Sequence, residues 1–270
     1  MDLISAWRDF DATADPPYIL DDDRPALKKF LRSRERHVSH ISWEKAHSHP
    51  DAGNPDKNHI HFGRLPTPFV GDLLRASIYI LTLNPGHALG DYYAEYKDPS
   101  FRKVLLNNLR QESRDQHQSF IFLDPQFAWD GGFNYWHGKL EGVIGELATY
   151  RGVSFAQARS DLSEKLAVIE LVPYHSVSSG AVGNLPDKLD SSQLAKEFVK
   201  NHVLEKVRNG NAIVIVVRQV RRWDEALGGS LQEGHGVIRY TQGEARGASL
   251  SPRTRGGKAI LKYFGHPGFA

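Results

Sequence analysis

Four short apolar runs, each rich in β-branched residues, dominate the hydrophobic pattern of this chain. The first, Ser77–Leu83, is too short for a helix and is typical of a buried strand. Similar runs follow at Lys165–Val172, Ala212–Val217 and Gly236–Thr241. Segments with helical spacing separate them, such as the amphipathic stretch Leu194–Arg208. Strands that alternate with helices predict an α/β fold with a parallel, doubly wound sheet.

Further helices are indicated between and around these strands. Residues 98 to 165 have a helical pattern that is interrupted at Asp124-Pro125 and at Asp130-Gly131-Gly132. Other helices are predicted at Pro25–Arg36, Gln219–Leu227 and Gly256–Phe264.

The composition is that of a globular protein and removes several classes of site. The sequence is 40% hydrophobic and 24% charged, and no apolar run approaches the ~20 residues of a membrane span. Its N-terminus lacks the pattern of a signal peptide, so we expect a cytoplasmic protein. There is no cysteine, which excludes disulfides, cysteine-ligated zinc and iron–sulfur clusters. We expect a helical and loop-like extension at residues 1–65 and one α/β domain at residues 66–270.

The charge pattern bears on possible partners. The net charge is only +2, so any surface for nucleic acid must come from local segregation of charge. Residues 241–270 contain five basic residues and one acid, although a solvated helix face would have the same composition. No Gly-x-Gly-x-x-Gly follows the first strand and no Gly-x-x-x-x-Gly-Lys occurs, so no nucleotide cofactor is expected.

The first predicted strand runs into the polar segment Asn84-Pro85-Gly86-His87. Pro85 removes a backbone donor and fixes φ, and Gly86 permits φ > 0 or the close approach of a ligand, so the chain must turn sharply there. In α/β sheets, ligands bind beyond the carboxyl ends of the strands. This segment is therefore a candidate site, and an ordinary exit from a strand is the alternative.

Together with Pro68-Phe69-Val70-Gly71-Asp72 ahead of the strand, Leu83–Gly86 resembles the first active-site motif of the uracil-DNA glycosylase superfamily. The resemblance extends from about residue 66 to the end of the chain. It implies a four-stranded parallel sheet flanked by helices on both faces, with a first motif after strand one and a second after strand four. In that family the side chain matched by Asn84 positions the attacking water, and His87 matches a histidine of one branch. The resemblance therefore implies that Asn84 and His87 are catalytic.

Two departures from the family pattern concern the excised base. Glu170 stands where the family usually has an asparagine that reads the pyrimidine. An ionised carboxylate only accepts hydrogen bonds, so it would favour the exocyclic amine of cytosine over O4 of uracil. Gly86 stands where the uracil-specific branch has a bulky tyrosine, and it leaves room for a 5-substituent. The alternative for Glu170 is a salt bridge at the strand end.

An aromatic side chain near the first motif is expected to stack on the base, and the candidates are Tyr93 and Tyr96. Core packing is the alternative for both tyrosines.

The second family motif is matched less well. After the fourth strand the family has a His-Pro-Ser-Pro or Asn-Pro-Ser-Gly sequence that stabilises the departing base and contacts DNA. This chain has a loop with Ser249, Ser251 and Arg253 at that point, so a serine stands at the histidine position. His266, in a Gly-His-Pro-Gly tail, is the alternative, but it follows the last predicted helix.

A cluster of histidines in the N-terminal extension suggests zinc as a further possibility. We interpret these residues as exposed loop side chains and expect no metal: His37, His40, His47, His49, His59 and His61.

The resemblance implies a monofunctional DNA glycosylase that flips a modified pyrimidine and hydrolyses its N-glycosidic bond, which leaves an abasic site. The two departures favour a 5-substituted cytosine, such as the hydroxymethylated or glucosylated cytosine of phage DNA, and hence an anti-phage role. The alternatives are a uracil or thymine-mismatch glycosylase of base-excision repair, an inactive member that binds nucleic acid, and a hydrolase of free nucleosides. DNA is the expected partner, and no cofactor is expected.

Overall fold

The computed structural model describes residues 2–33, 36–50, 52–112, 119–229 and 231–269. The chain forms two compact units. Unit 1 comprises Met1–Phe69, Leu83–Arg114 and Glu170–Glu197, and unit 2 comprises Val70–Thr82, Asp115–Ile169 and Phe198–Ala270. This division differs from the expected boundary at residue 65, because two later segments of the chain belong to the same unit as the N-terminal residues.

The described residues form seven strands and twelve α-helices. The strands are β1 (His37–Val38), β2 (Ile60–His61), β3 (Phe69–Gly71), β4 (Ile78–Thr82), β5 (Leu166–Glu170), β6 (Ile213–Val216) and β7 (Val237–Arg239). The helices are α1 (Leu3–Arg8), α2 (Arg24–Leu27), α3 (Trp43–His47), α4 (Leu89–Lys97), α5 (Pro99–Arg110), α6 (Gly131–Arg151), α7 (Phe155–Lys165), α8 (Asp190–Phe198), α9 (Leu204–Arg208), α10 (Val220–Ala226), α11 (Gln242–Gly247) and α12 (Arg255–Tyr263).

The main sheet has the strand order β3-β5-β4-β6-β7, and β1 and β2 pair separately in parallel. All four predicted strands are present as β4 to β7, and the α/β class is confirmed. The expected number of strands is wrong, since the main sheet has five. The additional strand, β3, lies within the motif segment that precedes β4 and has only three residues. So short a segment has too few positions to show a strand pattern.

The central strands run parallel. β4 pairs with β6 from Ile78↔Ile213 to Leu81↔Val216, and β6 pairs in parallel with β7. Hydrogen bonds from Ser77 N to Lys165 O and from Val172 N to Leu83 O join the beginnings and the ends of β4 and β5, so these strands are also parallel.

β3 is an antiparallel edge strand. Thr67 N donates to Pro173 O, and Glu170 N donates to Pro68 O, so residue numbers rise along β3 as they fall along β5. Gly71, at the end of β3, has φ +102°, and a Cβ there would collide with Leu166 O. Only glycine therefore allows this close approach of the two backbones.

The burial of the strands explains their uniformly apolar sequences. Every residue of β4 and of β5 is buried. A strand buried on both faces is typical of a parallel sheet covered by helices, and the arrangement is consistent with a three-layer α/β sandwich.

The predicted interruption before residue 131 is the start of α6. The Asp130 carboxylate accepts hydrogen bonds from Gly132 N (2.7 Å) and Phe133 N (3.3 Å) and so caps the helix. The helix ends at Arg151, and Gly152, the next residue, has φ +66°.

The predicted helix at Pro25–Arg36 is wrong in extent, because α2 ends at Leu27 and turns follow it. Lys28 and Arg32 stand four residues apart in the predicted extension, and like charges at that spacing disfavour a helix by a few tenths of a kcal/mol. Residues 34 and 35 lie outside the described residues. No helix in the described ranges is long and apolar enough to cross a membrane.

Asp23 connects three distant parts of unit 1. Its carboxylate accepts hydrogen bonds from the Tyr174 hydroxyl (2.5 Å) and from Ser191 N (2.9 Å) in the first turn of α8. Tyr174 Oη in turn accepts a hydrogen bond from Leu20 N at 3.3 Å. Burial raises the pKa of Asp23 above its usual range. Removal of the carboxylate would leave a buried hydroxyl and a helix N-terminus without this partner.

We expect Asp23→Ala to lower the free energy of unfolding by about 1–3 kcal/mol, because buried donors lose their acceptor. Urea denaturation measures the change. Asp22 is exposed on the same turn, so Asp22→Ala is the matched control and should change stability by less than about 0.5 kcal/mol. Equal effects of the two substitutions would contradict the role of Asp23.

Candidate functional site

Asn84 lies just past the end of β4 and is held by its amide nitrogen. Nδ2 donates hydrogen bonds to Ser176 Oγ (2.9 Å), Pro85 O (3.0 Å) and Tyr174 O (3.3 Å). Main-chain carbonyls only accept hydrogen bonds, so the amino group of the amide must face them. Asn84 is half-buried, and its Oδ1 accepts no hydrogen bond from the described residues. The acceptor oxygen is therefore the part of this side chain that can bind a water or a ligand.

Gly86 leaves open space two residues later. It is exposed, and a Cβ built on it would meet no atom within 4 Å. It is not among the glycines with positive φ, so the turn itself does not require glycine here. Because glycine has no side chain, the surface beside Gly86 is open, which is consistent with room for a ligand.

His175 connects the Asn84 loop to the segment that precedes β3. Its ring is buried, with Nδ1 at 2.7 Å from Gly86 O and Nε2 at 3.0 Å from Leu65 O. Thr67 Oγ1 also lies 3.1 Å from Nε2. Burial and the neighbouring guanidinium of Arg64 lower the pKa of His175 well below its usual range. The ring therefore acts here as a neutral hydrogen-bonding group.

Arg64 is buried among acceptors around the same loop. Its guanidinium donates to Asp91 Oδ2 (2.6 Å) and to Glu95 Oε1 (2.8 Å from Nε), and Nη1 lies 3.5 Å from Gly86 O. Asp91 Oδ2 also accepts a hydrogen bond from Ala88 N at 2.8 Å. The main chain of the loop is thus held at two points, with Gly86 O near Arg64 and Ala88 N bonded to Asp91.

His87 points into the interior of unit 1. Its side chain is 1% exposed and stacks on His61, with ring centroids 3.5 Å apart. In the described part of the chain, neither Nδ1 of His87 nor Nε2 of His61 has a hydrogen-bond partner. Burial lowers the pKa of both rings, that of His61 to about 3. Both imidazoles are therefore neutral near pH 7.

Four histidines of the N-terminal region line a small cavity together with His87. Its volume is about 20 Å³, which is room for about one water. His40, His49, His59, His61 and His87 contribute to its lining, together with Asp56 and Tyr92.

The interpretation of this histidine cluster as exposed side chains is wrong for five of its six members, because His47 alone is exposed, and His37, His40 and His49 are half-buried. His59 and His61 are buried, at 8% and 5% exposed, and His61 lies in β2, which pairs with β1. Within the described ranges, no group of three or more histidine, aspartate or glutamate side chains is arranged to hold a metal ion.

Glu170 is a buried carboxylate at the end of β5. The residue is 7% exposed, and its main-chain N donates to Pro68 O at 2.9 Å. Two residues later, Val172 N donates to Leu83 O, directly before Asn84. Glu170 and Asn84 therefore both lie at the carboxyl ends of neighbouring strands.

The two candidate stacking tyrosines differ in their surroundings. Tyr93 is 50% exposed, and its ring meets the edge of Trp43 at a centroid distance of 5.4 Å. The Tyr96 hydroxyl donates to Gly63 O (2.7 Å) and His40 O (3.0 Å). Tyr96 thus holds main-chain segments together, and Tyr93 is the more accessible ring.

The second-motif residues Ser249, Ser251 and Arg253 lie in unit 2, between α11 and α12. Ser249 and Arg253 are exposed, and Ser251 is half-buried. Arg253 forms no ion pair with a described residue. A Cβ at Gly257 would collide with Ser251 O, so the loop packs directly on the first turn of α12.

His266 follows α12 and packs on a helix of unit 2. Its ring lies 4.6 Å from that of Tyr150 in α6, and the Tyr150 hydroxyl donates to Gly265 O at 2.8 Å. These contacts attach the C-terminal tail to α6.

Sequence reasoning missed His175, Arg64, Asp91 and Glu95. One signal was present, since Pro173-Tyr174-His175 follows the second apolar strand just as Asn84-Pro85-Gly86-His87 follows the first. The other three residues had no recognisable motif. Comparison with known proteins found no matching family model, no matching curated protein and no matching solved structure.

The buried neutral histidines predict a stability that falls with falling pH. An unfolded histidine titrates near its usual pKa of about 6.5, whereas the pKa of folded His61 is about 3. Between these values the unfolded state binds more protons, so acidification destabilises the fold. Each such histidine lowers the free energy of unfolding by about 2 kcal/mol between pH 6.5 and pH 5. Urea denaturation at several pH values measures this loss.

His61→Leu should remove the contribution of one histidine to this pH dependence. His47 is exposed, so His47→Gln is the control and should keep the wild-type slope. A His61→Leu variant with an unchanged slope would contradict a neutral, buried His61.

Proposed function

We propose that this protein is a monofunctional DNA glycosylase that excises a modified pyrimidine by hydrolysis. The observation that carries the proposal is Asn84, whose amide is anchored through Nδ2 beyond the end of β4 and whose Oδ1 is not used by the described residues. The resemblance of Leu83–Gly86 to the first motif of the uracil-DNA glycosylase superfamily supports the same residue.

The reaction requires an ordered water next to C1′ and a sugar that can carry positive charge in the transition state. The oxygen of the water bonds to C1′, the C1′–N bond breaks with its electron pair leaving on the base, and the proton released by the water ends on that base. The sugar passes through an oxocarbenium-like transition state, as in glycoside hydrolysis. Asn84 is neutral, so it orients the water as a hydrogen-bond acceptor and is not a strong base.

His87 takes an indirect part in the proposed reaction. Its neutral ring is buried against His61, so it supports the loop that carries Asn84 and does not reach solvent as a proton donor.

Glu170 and Gly86 are the proposed specificity residues. A carboxylate at the end of β5 accepts a hydrogen bond from the exocyclic amine of cytosine and disfavours O4 of uracil. The open space beside Gly86 admits a 5-substituent. Tyr93 supplies an exposed ring for stacking. A 5-substituted cytosine is the proposed base, and phage DNA with hydroxymethylated or glucosylated cytosine is a source of it.

Contact with DNA is proposed for the loop of Ser249, Ser251 and Arg253. Arg253 is an exposed cation without an ion pair among the described residues, which suits a phosphate group.

The first test is an excision assay on duplexes that each contain one modified pyrimidine, uracil or a thymine mismatch, with alkaline cleavage as the readout. The wild-type protein should produce abasic sites, and Asn84→Ala should slow excision by roughly a hundred-fold or more. Asn209 is an exposed asparagine, so Asn209→Ala is the control and should keep the wild-type rate. Failure to cleave any duplex would reject the glycosylase, and a fully active Asn84→Ala would reject the site.

The second test concerns the choice of base. Wild type should prefer a 5-substituted cytosine over uracil by about ten-fold to a hundred-fold, since a buried carboxylate against uracil O4 costs about 1–3 kcal/mol. Glu170→Asn should gain uracil excision and lose cytosine excision, and Gly86→Tyr should exclude 5-substituted bases. Efficient removal of uracil by the wild type, with no action on modified cytosine, would select the repair alternative.

One observation favours a second candidate, a protein that binds nucleic acid without cutting it. The residue at the position of the family's second-motif histidine is the exposed serine Ser249, which is a weaker electrophile than an imidazole. Salt-dependent binding in a gel-shift assay, without excision of any base, would select this function. Cleavage of a free nucleoside but not of DNA would instead indicate a nucleoside hydrolase.

A further inference from the structure

The segment after β5 runs alongside the loop after β4 and is bonded to it at successive residues. Asn84 Nδ2 donates to Tyr174 O and to Ser176 Oγ. Ser176 N donates to Pro85 O at 3.2 Å. The ring of His175 then meets Gly86 O at 2.7 Å, which is its shortest polar contact. The orientation of Asn84 therefore depends on how the segment 173–176 holds the main chain of the loop.

His175 lies between two main-chain carbonyls but, as a neutral imidazole, has only one N–H to donate. Either Nδ1–H donates to Gly86 O, or Nε2–H donates to Leu65 O. Thr67 Oγ1, at 3.1 Å, can donate to Nε2 in the first form. Arg64 Nη1, at 2.9 Å, can donate to Nδ1 in the second. Neither tautomer satisfies every contact, because the first sets Nδ1–H against the Nη1–H of Arg64 at 2.9 Å, and the second sets the lone pair of Nδ1 against Gly86 O at 2.7 Å.

The contact distances favour the first tautomer. Nδ1 is closer to its carbonyl than Nε2 is, at 2.7 Å against 3.0 Å. In the first form Arg64 Nη1 still has acceptors, Asp91 Oδ2 at 2.6 Å and Gly86 O at 3.5 Å, whereas in the second form Nδ1 and Gly86 O are two acceptors only 2.7 Å apart. The Gly86 carbonyl therefore depends mainly on His175 for a well-placed donor.

We propose that His175 is a positioning residue for Asn84, which holds the Gly86 carbonyl through Nδ1–H and so fixes the amide that orients the water. The proposal rests on the proposed function for its effect on excision, whereas the tautomer itself is independent of any activity. His175 acts through the loop and does not contact the substrate. Misplacement of a catalytic group by about 1 Å can cost roughly a hundred-fold in rate.

Two substitutions separate positioning from mere filling of space. In His175→Asn the amide nitrogen is separated from Cβ by the same number of bonds as Nδ1 is in histidine. It can therefore still donate to Gly86 O. In His175→Gln the amide nitrogen is separated from Cβ by the same number of bonds as Nε2 is in histidine. It therefore reaches towards Leu65 O instead of Gly86 O. Both variants place a neutral amide of similar polarity in the same buried position, so a purely structural role would affect them alike.

The excision experiment uses a single-turnover assay on the preferred duplex, with a separate measurement of duplex affinity. We expect His175→Asn to excise within about five-fold of wild type and His175→Gln to be slower by about ten-fold or more, with affinity unchanged within about two-fold. An equal loss in both variants, or a wild-type rate in His175→Gln, would overturn the positioning role.

The tautomer is read in the wild-type protein by ¹⁵N NMR of its histidine rings, which needs neither a variant nor activity. A protonated Nδ1 and a bare Nε2 on His175 are expected, and the reverse would overturn the proposal. If the protein excises no base but shows this tautomer, the proposed function fails and the assignment of the hydrogen bond stands.

Discussion

The buried guanidinium of Arg64 is the constraint on which the candidate site depends. A charge removed from water is costly unless it is paired and hydrogen-bonded. Asp91 and Glu95 supply the pairing, and their four-residue spacing puts both carboxylates on one face of α4. Because the same carboxylate of Asp91 also accepts from Ala88 N, the position of the loop after β4 follows from the way in which Arg64 is neutralised.

The charge of Arg64 also adds to the effect of burial on the neighbouring histidines. Burial and this guanidinium lower the pKa values of His61, His87 and His175, so these rings pack and form hydrogen bonds as neutral groups. The candidate site therefore combines an uncharged amide, Asn84, whose Oδ1 accepts no hydrogen bond from the described residues, with a buried carboxylate, Glu170, at the neighbouring strand end. The cost of the arrangement is a fold that loses stability in acid.

Most strands of the main sheet were predictable, because a strand buried on both faces is an apolar run that the local sequence shows directly. β4, β5, β6 and β7 all lie within their predicted segments. β3 escaped notice because its three residues are placed by pairing with β5, and Gly71 is required by a backbone that approaches from residue 166. The burial of His61 likewise follows from the pairing of β2 with β1, whose residues are distant in the sequence.

The sequence by itself determined the α/β class, the strand ends and the polar residues that follow them, since these depend on local hydrophobicity and on turn-forming residues such as Pro85. Only the tertiary structure decided which side chains support Asn84. Arg64 and Asp91 are 27 residues apart, and Arg64 and His175 are 111 apart. No local pattern relates residues so far apart. They meet because β5 lies between β3 and β4 in the sheet, so the segments before β3, after β4 and after β5 come together.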